Sequence, residues 1–116
     1  ALGRVGGLLE GKKIAGMAEA YYAQIAPHLY CGPVEGAANA QLAACTPNFL
    51  ILESIQQWGG FHSEILKKPM QWESGFVIPS KEPGIGVELD EEVALANPYT
   101  GTELHLNMSD SPADFA

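Results

Sequence analysis

Two residues have the type and placement to move protons: His28, which closes the run 22–27 (YAQIAP), and Glu53, which closes the run 48–52 (NFLIL). An imidazole with an ordinary pKa near ~6.5 both accepts and releases a proton around neutrality. A carboxyl group beside it can orient the ring or stabilise charge on a substrate. Such a pair suits acid–base chemistry at carbon, provided the fold brings the two together. A histidine after a proline, taken alone, reads more readily as structural, and a lone strand-end carboxylate as half of a salt bridge.

The elements between them supply the means. Residues 23–27 and 49–52 are short, mostly apolar runs, as expected of parallel strands buried on both faces. Pro27 lacks an amide proton and so belongs at a strand's very end. Between the runs a helix begins at Gly32-Pro33, with Pro in the first turn and Glu35 at the positive end of the dipole. Ala37, Ala38, Ala40, Ala43 and Ala44 keep it small on nearly every side, and Thr46-Pro47-Asn48 ends it. Strand, helix and strand make a crossover that delivers both strand ends to one edge of a parallel sheet. In a (β/α) barrel that edge carries the catalytic groups.

Upstream, Arg4 to Gly7 reads as a strand end and its turn. A helix follows from about Leu9 to Tyr22, with Ile14, Met17, Ala18 and Tyr21 on one face and Lys12 and Lys13 on another. A step back from His28 of nearly the His28-to-Glu53 length reaches Ala1. The pattern is α/β and reads as the last part of a barrel. Residues 1–53 form that part, 54–96 an extension, and 97–116 an acidic tail. In the extension, Trp58-Gly59-Gly60 is a loop and His62 to Lys68 at most two helical turns. Residues 76–79 are extended, and Pro83, Gly84 and Gly86 demand a fixed turn. Asp90 can cap a short helix running to Leu95, with Glu91 and Glu92 in its first turn.

The chain has 116 residues, 47% of them hydrophobic, and a net charge of −8. From Glu88 onward there are seven acidic side chains and no Lys or Arg, a surface that repels nucleic acid. No apolar run approaches the roughly 20 residues that span a bilayer, and no signal peptide is evident. Cys31 and Cys45 are expected to stay reduced, in keeping with a cytoplasmic setting. No two of His, Cys, Asp and Glu show metal-ligand spacing, so the chain is expected to hold no metal by itself. His62 and His105 are expected at the surface, and Trp58 and Trp72 as packing residues.

Several short strings carry a resemblance: residues 4–10 (RVGGLLE), Ala26-Pro27-His28, Gly32-Pro33-Val34, Pro47-Asn48-Phe49, Leu52-Glu53 and residues 83–88 (PGIGVE). In this order and spacing the chain resembles the C-terminal part of the enolase superfamily, in its mandelate racemase subgroup. The resemblance implies the C-terminal portion of a modified (β/α)8 TIM-type barrel, about strands six to eight, with a C-terminal extension toward a capping domain. It implies Mg²⁺ as cofactor, with ligands upstream of this segment in the same polypeptide, and assembly as a homo-oligomer. Enzymes of this kind remove the proton next to a carboxylate and stabilise the resulting enediolate on the metal.

On that pattern His28 is the general base, or the general acid toward a leaving hydroxyl. Glu53 would hydrogen-bond a substrate carboxylate, a role that calls for burial. Tyr30 and Cys31, which follow the histidine, could line the substrate pocket. Ala1 falls where the family places an Asp that orients the histidine, and an Ala there would leave His28 unpaired. The string around His28 and Gly32-Pro33-Val34 looks most like the galactonate dehydratases. The expected function is therefore that of an acid-sugar dehydratase, with a hydroxy-acid racemase or epimerase as the alternative. A non-catalytic relative serving as a binding or assembly subunit also stays open. By itself the segment is expected to be inactive and to expose apolar faces that need covering.

Overall fold

The computed structural model describes residues 1–55 and 58–101. The chain opens on a helical turn, α1 (Leu2–Val5), where a strand end was expected. Gly6 stops it in the left-handed conformation (φ 104°), and Gly7 donates back to the Leu2 carbonyl at 2.8 Å. A glycine tolerates that φ without steric cost, so the Gly6-Gly7 pair encodes a helix stop.

Helix α2 (Leu8–Ala20) and helix α3 (Pro33–Ala44) follow. Helix α2 ends short of the expected Tyr22: Tyr21 caps it and Tyr22 turns out at φ 56°. Small residues let the helices close up. A Cβ on Gly11 would come within 2.5 Å of Leu2 Cδ2 and 3.4 Å of Leu42 Cδ2. Leu2, Ala15, Ala37, Ala40 and Leu42 are buried. Lys12, on the polar face of α2, reaches the Cys45 carbonyl (2.5 Å) beyond the C-terminal end of α3, where a cation complements the dipole.

The runs 23–27 and 49–52 pair in parallel, through a single bridge between Ile25 and Phe49 instead of two full strands. Ile25 N donates to Asn48 O and Leu50 N to Ile25 O, both at 2.9 Å, and Glu53 N donates to Pro27 O at 3.2 Å. Asn48 secures the start of this pairing: its Nδ2 donates to Ala15 O (3.0 Å) and Ala23 O (2.9 Å), tying α2 to the run that leaves it.

The extension contains α4 (Phe61–Glu64), β1 (Leu66–Lys68), β2 (Gln71–Glu73), β3 (Phe76–Ile78), β4 (Glu88–Leu89) and α5 (Glu91–Ala96). Its strands form two antiparallel pairs, β1 with β4 and β2 with β3. The helical turns expected from His62 to Lys68 thus split into a short helix and a strand. Trp72 lies in β2 opposite Val77. Positive φ at Ser74 (50°) and Gly75 (84°) makes the connecting turn one that matches the twist of a tight hairpin. As expected, Asp90 caps α5, accepting from Glu92 N (3.1 Å) and Val93 N (3.2 Å). His105 and most of the acidic tail lie outside the described residues. Among the described residues no helix is long and apolar enough to cross a membrane.

Candidate functional site

The parallel pairing ends where the two titratable residues begin. Above the bond from Glu53 N to Pro27 O, the side chains of His28 and Glu53 meet, His28 Nδ1 against Glu53 Oε2. The alternation of an extended chain decides which side chains emerge there. Pro27 and Leu29 turn inward, Leu29 to 1% exposure, while His28 and Tyr30 turn outward. Leu29 packs on α3 at Gly36, where a Cβ would stand 3.2 Å from Leu29 Cδ2. One buried leucine therefore fixes the register of the histidine before it.

Both members of the pair are open to solvent, His28 at 52% and Glu53 at 61% of their side chains. The burial expected around Glu53 is not provided by this chain. Nor is His28 unpaired: Glu53 engages it although position 1 is Ala. Ala1 itself lines an apolar cavity of about 260 Å³ together with Leu2, Val5, Ile25, Ala26 and Pro27. Position 1 thus lies beside the run that carries His28.

Tyr30 projects outward at 77% exposure, and Cys31 is exposed as well. A hydrogen bond to Glu35 pushes the Cys31 thiol above the ordinary range, with partial burial and the Glu35 charge adding to it. Glu35 also accepts from Gly3 N at 3.0 Å, so one carboxylate joins α1, α3 and the loop after His28. Both thiols, Cys31 and Cys45, are free. From the extension, Trp58 Nε1 donates to the Cys31 carbonyl at 2.9 Å, and the His62 ring stands beside Gly32. Trp58 therefore does more than pack. Glu35 and Trp58, expected as a helix-dipole residue and a packing residue, take on further links: each acts across a long sequence separation, and only their polar ends signalled such a use.

A second crevice, of about 270 Å³, runs between α3 and the extension along Gln41, Met70, Ile78 and Ser80, apart from His28 and Glu53. Among the described residues no three of His, Cys, Asp and Glu come together to hold a metal ion. The described residues do not by themselves form a seat for Mg²⁺.

A parallel pair with a histidine and a glutamate in contact at its end, flanked by closely packed small-residue helices, is an arrangement that one segment of a (β/α) fold supplies. Residues 1–93 match the enolase C-terminal domain-like family, and the chain belongs to that family. It is similar to a mandelate racemase/muconate lactonizing enzyme from Burkholderia SAR-1, with 64% identity and a TM-score of 0.80 over 92% of this chain and 27% of that one. It is 34% identical to a D-xylonate dehydratase from Haloferax volcanii, over 89% of this chain and 25% of that protein. A D-galactonate dehydratase from Cronobacter sakazakii is 38% identical over 82% of this chain and 26% of its own length. The chain thus spans about a quarter of the curated relatives it matches.

Proposed function

We propose that this chain is the C-terminal segment, about strands six to eight with the extension toward the capping domain, of a Mg²⁺-dependent acid-sugar dehydratase of the galactonate type. On this reading residues 1–53 complete the barrel, 54–96 pack on the barrel and the capping domain, and 97–116 form a tail. The metal ligands lie in the upstream part of the polypeptide, which works in the cytoplasm as a homo-oligomer. The observation that carries the reading is the contact of His28 with Glu53 at the shared end of a parallel pair, in a chain whose curated relatives remove water from sugar acids.

With Nδ1 held by Glu53, the His28 ring is fixed in one orientation and Nε2 is left to exchange a proton with substrate. At Nε2 the ring takes the proton next to the substrate carboxylate or protonates the departing hydroxyl. Glu53 holds the ring by accepting from Nδ1–H with one carboxyl oxygen, and in its protonated form its other oxygen donates a hydrogen bond to the substrate carboxylate. Tyr30 and Cys31 stand next to this couple and form part of the pocket wall.

The test uses the complete polypeptide, supplied with Mg²⁺ and a panel of acid sugars, with the 2-keto-3-deoxy product as the readout. His28→Asn should lower kcat by about 10²- to 10⁴-fold, the usual share of a general acid–base group. Its melting temperature should hold, since a half-exposed side chain adds little packing. Loss of activity only in proportion to loss of folded protein would sink the assignment. The racemase alternative draws on the Burkholderia SAR-1 relative, and would appear as solvent deuterium entering the substrate with no water eliminated.

A further inference from the structure

We infer that Trp58 is a positioning residue for the His28–Glu53 pair, its indole locking the loop that leaves His28 to the segment that leaves Glu53. The inference rests on the acid–base reading of that pair and deepens it.

Among the described residues the parallel run makes its last hydrogen bond from Glu53 N to Pro27 O, and beyond it the two segments have no backbone bond between them. His28 and Glu53 then meet with both side chains more than half exposed. A contact of that kind is screened by water and holds little by itself. The next cross-link is Trp58 Nε1 to Cys31 O, 2.9 Å long. It joins residues 27 apart in sequence, where the His28–Glu53 contact joins residues 25 apart. The two outgoing segments are thus tied together twice, once by the couple and once by the indole.

The loop is held on other sides as well. Leu29 is buried on α3, Glu35 stands by the Cys31 thiol and raises its pKa, and the His62 ring stands 3.4 Å from where a Cβ on Gly32 would be. Leu29 and Glu35 belong to the half that carries His28, and His62 makes ring contact without a hydrogen bond to the loop. The Trp58 indole alone, among the described residues, joins the segment after Glu53 to the backbone after His28 by a hydrogen bond. Indole nitrogen is a donor only, on a rigid ring with two torsions, and this suits it to hold a carbonyl at fixed distance. Freed of it, the loop can swing and carry His28 away from Glu53.

Trp58→Phe keeps an aromatic ring and removes the donor. In the complete polypeptide, kcat/KM should fall about fivefold to tenfold, the share of one net hydrogen bond, with the loss in kcat and not in KM. With isotope-labelled histidine, the ring resonances of His28 should move. An unchanged kcat with unmoved His28 resonances overturns the inference, and so does a lowered melting temperature alone. If the wild-type protein turns over no acid sugar, the dehydratase reading falls, yet the His28 resonances still decide: movement in Trp58→Phe upholds the brace, and its absence ends it. Should the variant fail to fold, the wild-type indole N–H exchange rates serve. Slow exchange at Trp58 relative to Trp72, which bonds to no acceptor among the described residues, supports the brace. Equal rates refute it.

Discussion

Residues 1–55 and residues 58–101 hold themselves together by different means. Among the described residues, the buried apolar side chains Leu2, Ala15, Leu29, Ala37, Ala40 and Leu42 all belong to the first region, and Leu66 alone to the second. The second relies on two short antiparallel pairs and on exposed ion pairs, Lys67 with Glu88 (3.6 Å) and Lys68 with Glu82 (3.0 Å). Exposed pairs contribute about 0–1 kcal/mol each, and a two-stranded hairpin is marginal by itself. The first region therefore carries the core and the His28–Glu53 pair. The second leans on that core and adds the indole at the couple's edge.

The largest effect that separates the regions should come from truncating one leucine in each. Leu29→Ala opens a hole beneath His28 and should cost about 2–5 kcal/mol in the complete polypeptide. Leu66→Ala, in a strand at the margin of the extension, should fall at or below the low end of that range, because its surroundings can collapse inward. Urea midpoints of the two variants decide the matter. A costlier Leu66→Ala would reverse the comparison and place the stability in the extension. Leu29→Ala should also cut kcat, since the histidine loses its register, whereas Leu66→Ala should leave kcat nearly intact.

Gly36 tests the seam between the regions with a smaller effect. A Cβ there would stand 2.7 Å from Met70 Cε in the extension and 3.2 Å from Leu29 Cδ2. Gly36→Ala gains about 1 kcal/mol of helix propensity, which offsets the shift required of a flexible methionine end, and should be nearly neutral. Gly36→Val adds a stiff, branched side chain against both neighbours and should destabilise by about 1–3 kcal/mol. Equal midpoints for the two variants would mean that the seam is loose and the regions uncoupled.

How the chain reads from sequence follows the same division. Helix α3 was legible because Gly32-Pro33 and Thr46-Pro47-Asn48 punctuate it, and α5 because Asp90 sits where a cap must. The meeting of His28 and Glu53 was legible too, since a strand–helix–strand crossover leaves both ends on one edge. Residues 4–7 misled: a Gly-Gly pair ends a helix or a strand equally well, and only the tertiary fit of Leu2 under Gly11 selects helix. His62 to Lys68 misled because a short stretch in which only Ile65 and Leu66 are apolar has no period of its own, and β1 exists through pairing with β4, whose residues lie far along the chain. Trp58 and Glu35 were obscure for a related reason. Their partners are a carbonyl, a backbone amide and a thiol, and residue type does not announce such pairings.

Cys31 is where the two regions touch one residue, the indole on its carbonyl and Glu35 on its thiol. The smallest predicted effect lies there. The hydrogen bond to Glu35, followed by partial burial and the Glu35 charge, raises the thiol's pKa, so at a given pH less thiolate forms than at an ordinary exposed cysteine. The sign is thus toward slow alkylation, with reactivity appearing only as pH climbs past the usual thiol value. Glu35→Gln removes the charge and keeps an acceptor oxygen, and Glu35→Ala removes both. Iodoacetamide should therefore modify Cys31 fastest in Glu35→Ala, next in Glu35→Gln and slowest in the wild type. At fixed pH this order follows from the direction of the shift, since the thiolate population falls as the pKa rises. Trp58→Phe touches the carbonyl and not the thiol, so it should leave this rate within about twofold of the wild type. A Trp58 variant that accelerated alkylation as much as Glu35→Ala would show that the extension, and not the helix α3 carboxylate, governs the thiol, and the division between the two regions would dissolve at this residue.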